Sequence, residues 1–190
     1  MTTDLQEAYD AGVLVPEVHS RLVANIDQFA QQAGITEDKI MYRMSRWGCT
    51  TAEIDYVRSI RRRASMGMYG LIYHGPETIP LTQRMSAVAG ACLRNFVEAK
   101  VMVLHELLDC LKEGDNPDIS VLLVPNFFIP RSDGGKIGDW QISELLGFLY
   151  SRMVKGQQTF LYVSSFDGLK KAYGEPMANH LKEHFATIAA

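Results

Sequence analysis

The chain has 190 residues, 47% hydrophobic and 22% charged, which is typical of a globular domain with a substantial core. A formal net charge of −3 excludes a global basic field that would attract nucleic acid indiscriminately, although a local patch stays possible. The three widely spaced cysteines argue against a disulfide framework or a zinc site. Because no signal pattern or long apolar run is present, we expect a cytoplasmic protein.

The first 65 residues have the pattern of helices. Val18, Leu22, Ile26 and Phe29 recur at helical spacing, and Gly34 suits the end of a helix. Two further helical segments follow, each started by a threonine and ended near a glycine. The pattern predicts a small helical module over residues 1–65.

From residue 66 onward, strand-like and helix-like segments alternate. The strand-like segments are short and apolar, and read YGLIYHG, AKVMVLH, ISVLLVPNFFIP and QTFLYVSS. Such alternation predicts an α/β fold with a three-layer, mostly parallel sheet over residues 66–190. The uninterrupted run VLLV is typical of a strand that helices cover on both faces.

The segment GPETIPLT after the first strand has the outline of a phosphate-binding loop. Against the pattern G-x-x-x-x-G-K-[ST], Gly75 is the first glycine and Thr82 is the final threonine. Pro80 replaces the second glycine and Leu81 replaces the lysine, and Pro76 follows the first glycine. A proline removes an N–H group and a leucine removes the cation, so this loop lacks the groups that cradle phosphate.

In the order of these segments, residues 66–190 resemble the ATPase core of the AAA+ helicase-loader and transposition-helper family, the DnaC and IstB type. The family's loop commonly reads GPPGTGKT, and its next motif is an apolar strand that ends in two acids. The acids' positions are here Pro125 and Asn126, and Ser165 stands where the family's sensor asparagine would be. A segment near the end resembles the one that carries a trans-acting arginine, but no arginine follows Arg152.

The resemblance implies a P-loop NTPase-like fold without a lid domain and with its catalytic groups lost. Phosphoryl transfer depends on the cradle, on acids that hold Mg²⁺ and on cations that offset charge. We therefore expect a pseudo-ATPase with no catalytic residues, no cofactor and no bound metal.

By analogy with the family, the expected role is a scaffold in DNA replication or DNA transposition. Its protein partner would be an active AAA+ ATPase, a replicative helicase or a transposition component. We expect the contact surfaces to be the N-terminal helical module and the loop Arg131–Asp139.

Two other interpretations stay open. In the first, a nucleic-acid-binding accessory protein uses a basic run, although such a run is more often a solvated helix end; its residues are Arg58, Arg61, Arg62 and Arg63. In the second, an enzyme uses a site without a known motif, built from the Asp133–Asp139 loop, Asp167 and His74. The string HLKEH matches a zinc-protease pattern, but it lacks a third ligand and is interpreted as a helix face.

Overall fold

The computed structural model describes residues 3–77, 80–130 and 137–190. In these ranges, five parallel strands form one sheet in the order β2-β3-β4-β1-β5. The strands are β1 (Gly70–His74), β2 (Ala99–Val101), β3 (Val121–Phe128), β4 (Gln158–Val163) and β5 (Phe185–Ala189). The predicted parallel sheet is confirmed. None of the helices in these ranges is long and apolar enough to cross a membrane.

Helices cover the sheet on both faces and also form the N-terminal part of the chain. The N-terminal helices are α1 (Thr3–Asp10), α2 (Pro16–Ala24), α3 (Ile26–Gln32), α4 (Glu37–Met41), α5 (Thr51–Arg58) and α6 (Ile60–Arg63), with 3₁₀ turns at Met44–Trp47 and Ala64–Met66. The later helices are α7 (Leu81–Arg94), α8 (Leu104–Glu113), α9 (Asp139–Val154) and α10 (Phe166–His184).

The two faces of the sheet belong to different hydrophobic cores. On β1, Leu71 and Tyr73 share a core with α7, whereas Ile72 lies in the core formed with α8, α9 and α10. The alternation follows from the pleat, because successive side chains of a strand point to opposite faces. On β3 the run VLLV is fully buried, which confirms the prediction of a strand covered on both sides.

The N-terminal helices pack directly against α7. Tyr56 and Val57 of α5 are buried in the same core as α7 and the sheet. The approach of α4 is so close that a Cβ on Gly90 would lie 2.1 Å from the Lys39 carbonyl oxygen, so only glycine fits there. The helical character of this region is confirmed, and the division at residue 65 stays a prediction.

The predicted helix over residues 16–34 is divided at Asn25. This residue has φ −133° and ψ 32°, and its side-chain Nδ2 donates to the Arg21 carbonyl at 3.0 Å. An asparagine side chain that binds the backbone competes with the helical hydrogen bond. The apolar spacing continues across the break, which is why the sequence pattern reads as one helix.

The last strand and a kink before it are absent from the sequence prediction. Gly174 interrupts α10 with φ +86°, two residues before Pro176. β5 then begins without a turn signal and pairs in parallel with β1, and the Tyr69 N–H donates to the His184 carbonyl at 2.8 Å. A five-residue strand after a helix carries too little local pattern to predict, so pairing with β1 decides its conformation.

Candidate functional site

The segment predicted to be a degenerate phosphate loop lies at the carboxyl edge of the sheet, where β1, β3 and β4 end. Gly75 has φ +104°, a conformation that glycine adopts without strain. The Tyr162 hydroxyl donates to the Gly75 carbonyl at 3.0 Å. The Glu77 carboxylate accepts a hydrogen bond from the Leu81 N–H at 2.7 Å, so an acidic side chain sits at the start of α7. Burial and the Glu77 carboxylate raise the pKa of the Tyr162 hydroxyl.

The residues that close the loop are fixed in the fold in different ways. Pro80 precedes α7, and its carbonyl accepts from the Gln83 N–H at 3.0 Å. Leu81, in the place of the lysine, is 1% exposed and belongs to the core under α7. Thr82 is exposed. The lysine position therefore points into the core of this fold, while Pro76 is exposed on the loop.

Pro125 and Asn126, at the predicted end of the acidic strand, lie where β3 is irregular. The pairing of β3 with β4 shifts register between Val124 and Phe128, as expected where a proline interrupts a ladder. The Asn126 Oδ1 accepts from the Leu104 N–H at 2.8 Å, at the first residue of α8. Asn126 therefore caps a helix.

Ser165, at the predicted sensor position, also caps a helix. Its Oγ accepts from the Gly168 N–H at 3.1 Å, in the first turn of α10. Helix N-termini commonly use serine in this way. The three positions Glu77, Asn126 and Ser165 thus share one use of a side-chain oxygen, which we call helix-start capping.

A buried ionic network lies under the loop and joins α5 to α7. The Glu53 carboxylate accepts from Arg84 Nη2 at 2.9 Å and Nε at 3.2 Å, and from the Tyr73 hydroxyl at 3.0 Å. Glu53 and Arg84 are at most 2% exposed. Burial, with the Glu53 charge next in effect, raises the pKa of Tyr73. Neither this network nor Glu77 is predicted from the sequence. The one local signal for the network is the capping-box spacing of Thr50 and Glu53.

The residues proposed for an unrecognised enzyme site are partly beyond the described ranges. His74 stacks on Phe166 with ring centroids 4.9 Å apart, and Asp167 is in the first turn of α10. Residues 131–136, which include Asp133 and most of the predicted contact loop, lie outside the described residues. Asp139 begins α9.

The HLKEH string forms part of the second half of α10. The His180 and His184 rings are 5.1 Å apart, and His180 is 2% exposed with no hydrogen-bond partner for either ring nitrogen among the described residues. Burial lowers the pKa of His180 to about 4. Within the ranges that the structure covers, no group of three His, Cys, Asp or Glu residues could hold a metal ion.

The predicted basic run lies at the opposite end of the strands, which we call the amino edge. Arg58 contacts Asp55 at 3.4 Å at the surface, and Arg61 Nη2 donates to the Asn95 carbonyl at 2.8 Å. Arg62 is exposed. Arg63 is partly buried, with its guanidinium carbon 4.5 Å from the centre of a neighbouring tyrosine ring. Arg61 and Arg62 are therefore the residues of the run that are both exposed and not paired with an acid among the described residues.

Arg152, the last arginine of the sequence, holds the amino edge together. Its guanidinium donates to Thr159 Oγ1 at 2.8 Å and to the carbonyls of Gln158 at 2.7 Å and Ile119 at 3.1 Å. Arg152 is 2% exposed, and burial lowers its pKa to about 10. Arg152 therefore joins the starts of β3 and β4.

Comparison with solved structures identifies the fold. DnaI matches with a TM-score of 0.56 and 14% identity, over 82% of this chain and 94% of that one. A primosome component from Streptococcus pyogenes serotype M3, described as putative, matches with a TM-score of 0.54 and 12% identity, over 85% and 94%. The chain has a P-loop NTPase-like fold. A third solved structure also matches: the replication initiator DnaA, bound in that structure to AMPPCP and single-stranded DNA. Its TM-score is 0.56 and its identity 11%, over 77% of this chain and 49% of that one.

At these identities, the likeness concerns the fold alone. The DnaI and primosome neighbours support the predicted DnaC-type arrangement of the P-loop NTPase-like core. No protein-family model matches the chain, and no curated protein sequence matches it.

Proposed function

We propose that this protein is a catalytically inactive AAA+-like adaptor that binds a protein partner in DNA replication or transposition. The observation that supports it most is the hydrogen bond from the Leu81 N–H to the Glu77 carboxylate at 2.7 Å. A phosphate group would need free N–H groups at this helix start and would face the negative charge of Glu77. The chain supplies its own anion where a nucleotide would place one.

The other carboxyl-edge positions support the same proposal. Leu81 is buried where a cation would reach the phosphates, and Asn126 and Ser165 already accept from helix N–H groups. Asn126 and Ser165 offer no carboxylate for Mg²⁺, so the groups that supply the rate of phosphoryl transfer are missing from these positions.

An assay of Mg·ATP hydrolysis, with binding of a fluorescent ATP analogue measured alongside, tests the inactivity. The wild-type chain and the Glu77→Gln and Thr82→Ala variants should all show neither turnover nor binding above a heat-denatured control. Turnover by the wild type that disappears in Thr82→Ala would refute a pseudo-ATPase, because Thr82 is the retained Mg²⁺-ligand position.

For the partner surface, we propose the exposed hydrophobic residues beside the predicted contact loop. Ile129 and Trp140 flank residues 131–136 and are 47% and 53% exposed. Exposed tryptophans are frequent anchors of protein interfaces.

Affinity purification from native cells, followed by reconstitution with the purified partner, tests this surface. Trp140→Ala should weaken binding of an AAA+ ATPase, helicase or transposition protein by about tenfold or more. Val154→Ala is the control, since Val154 is exposed on the same helix but at its far end. Equal binding by both variants would contradict the assignment of this surface, and recovery of no such protein would contradict the adaptor role.

A further inference from the structure

A basic cleft with an exposed aromatic ring lies at the amino edge, away from the phosphate-loop position. Its volume is about 630 Å³, and it lies between α2 on one side and α5, α6 and the end of α7 on the other. Arg58, Arg61 and Arg62 line the cleft, together with Phe96, and the described lining residues include no Asp or Glu. A cleft lined by one sign of charge concentrates ligands of the opposite sign.

Phe96 is held in an unfavourable position at the centre of this region. It is 61% exposed, and it is the one non-glycine residue with positive φ (+55°) among the described residues. A left-handed conformation costs about 1–2 kcal/mol for a residue with a side chain. Such strain, with a large apolar ring left in water, is typical of residues kept for a surface contact.

One face of the Phe96 ring is already stacked. The His19 ring lies parallel to it, with centroids 5.6 Å apart and planes 12° apart. His19 is itself fixed, because its Nδ1 accepts from the Val15 N–H at 2.8 Å and its Nε2 lies 2.9 Å from the Arg94 carbonyl oxygen. The two rings form a stacked pair, which we call the platform, and the exposed part of Phe96 is available to a further flat ring.

Cations line two cavities that border Phe96. Arg61 donates to the carbonyl of Asn95, the residue next to Phe96, so its guanidinium lies beside the platform. A second cavity that Phe96 also lines, of about 480 Å³, has Arg21 and Lys100 in its lining, with Glu98 as an acid among them. Phe96 therefore borders two cavities that each contain cations.

We propose that the Phe96 cleft binds single-stranded nucleic acid, with one base stacked on Phe96 and the adjoining phosphates on Arg61 and Arg62. Aromatic stacking combined with a basic groove is the usual chemistry of single-strand binding and does not depend on sequence. A free nucleotide would offer the same base and phosphate, but cations in two separate cavities that both border the ring fit a continuing backbone. This function is separate from the proposed adaptor role and does not depend on it.

Fluorescence anisotropy with a labelled oligothymidylate of about 20 nucleotides, at about 50 mM salt, tests the proposal. Phe96→Ala should weaken binding about tenfold or more. Phe96→Gly should weaken it equally while relieving the backbone strain, so a folding defect cannot explain the loss. Arg61→Ala with Arg62→Ala should also make the salt dependence of log K less steep by about 1.4.

Matched controls decide between this cleft and diffuse charge. Lys170→Ala with Lys171→Ala removes two adjacent exposed cations from α10 and should leave affinity unchanged. Arg61→Lys with Arg62→Lys should keep the salt slope. Thymidine monophosphate that competes at concentrations comparable to the oligonucleotide would identify a free nucleotide as the ligand. Three results would overturn the proposal. They are no oligonucleotide binding, equal binding of duplex, or a loss of affinity in Lys170→Ala with Lys171→Ala equal to that in Arg61→Ala with Arg62→Ala.

Discussion

At the carboxyl edge of the sheet, the oxygens of Glu77, Asn126 and Ser165 each accept from the N–H of a helix start. At the amino edge, Phe96 is exposed with an unfavourable φ and shares a cleft with Arg61 and Arg62, which are not paired with an acid among the described residues. The first edge is where this fold places catalytic groups, yet its polar atoms serve the structure. The second edge carries a strained, exposed aromatic ring and exposed cations. The contrast indicates that such exposed groups, and not the position of the phosphate-loop pattern, are the better guide to a binding surface.

The largest expected effect comes from restoring the lysine of the phosphate loop. Leu81→Lys should lower the free energy of unfolding by about 3–5 kcal/mol, because the charge would be buried in the core under α7. Urea denaturation measures it, with Leu81→Met as a control that should cost less than about 1.5 kcal/mol. A stable Leu81→Lys variant that gains affinity for ATP would break the contrast between the two edges.

Removal of the buried guanidinium should be the next largest effect. Arg152→Met should lower the free energy of unfolding by about 3 kcal/mol, since it leaves the carbonyls of Ile119 and Gln158 without their donor. Lys155→Ala removes a nearby cation that contacts Asp118 at the surface, and should give no resolvable change in the same urea titration. Equal effects of the two substitutions would show that Arg152 does not hold the amino edge.

Acid should weaken the fold through His180, near the amino edge. The unfolded chain binds a proton at the ordinary pKa of 6.5, whereas the native ring does so at about 4. The contribution of neutral His180 to the free energy of unfolding is therefore complete above pH 6.5. It is lost as the pH falls towards 4, by about 3 kcal/mol in all. His180→Phe should flatten the pH dependence of stability in this range, and His105→Gln, an exposed control, should not.

The smallest expected effect concerns the helix-start cap of α7. Glu77→Ala should cost about 1 kcal/mol of stability, because the Leu81 N–H loses its acceptor and the helix dipole loses a favourable charge. Glu77→Gln keeps an acceptor and should cost less. Thermal unfolding of the two variants separates the hydrogen bond from the charge. If Glu77→Ala is as stable as the wild type, Glu77 does not cap α7.

Much of the core fold is predictable because its signals are local. The apolar run of β3, the alternation of strands with helices and the helical spacing on the N-terminal segments each depend on residues close together in sequence. β5 and the break at Asn25 are not predictable in this way. The first is decided by pairing with β1 and the second by a side-chain bond to the backbone.

The sequence by itself determined which residues stand in the phosphate-loop pattern, since Pro80 and Leu81 occupy the positions of its second glycine and its lysine. Only the tertiary structure decided that Glu77, Asn126 and Ser165 cap helices, because capping requires two atoms that the fold brings within hydrogen-bonding distance. The tertiary structure also decided which arginines lie beside an exposed aromatic ring. Arg61 and Arg62 lie beside Phe96 only because the turn after α7 brings it there, and no spacing along the chain predicts that proximity.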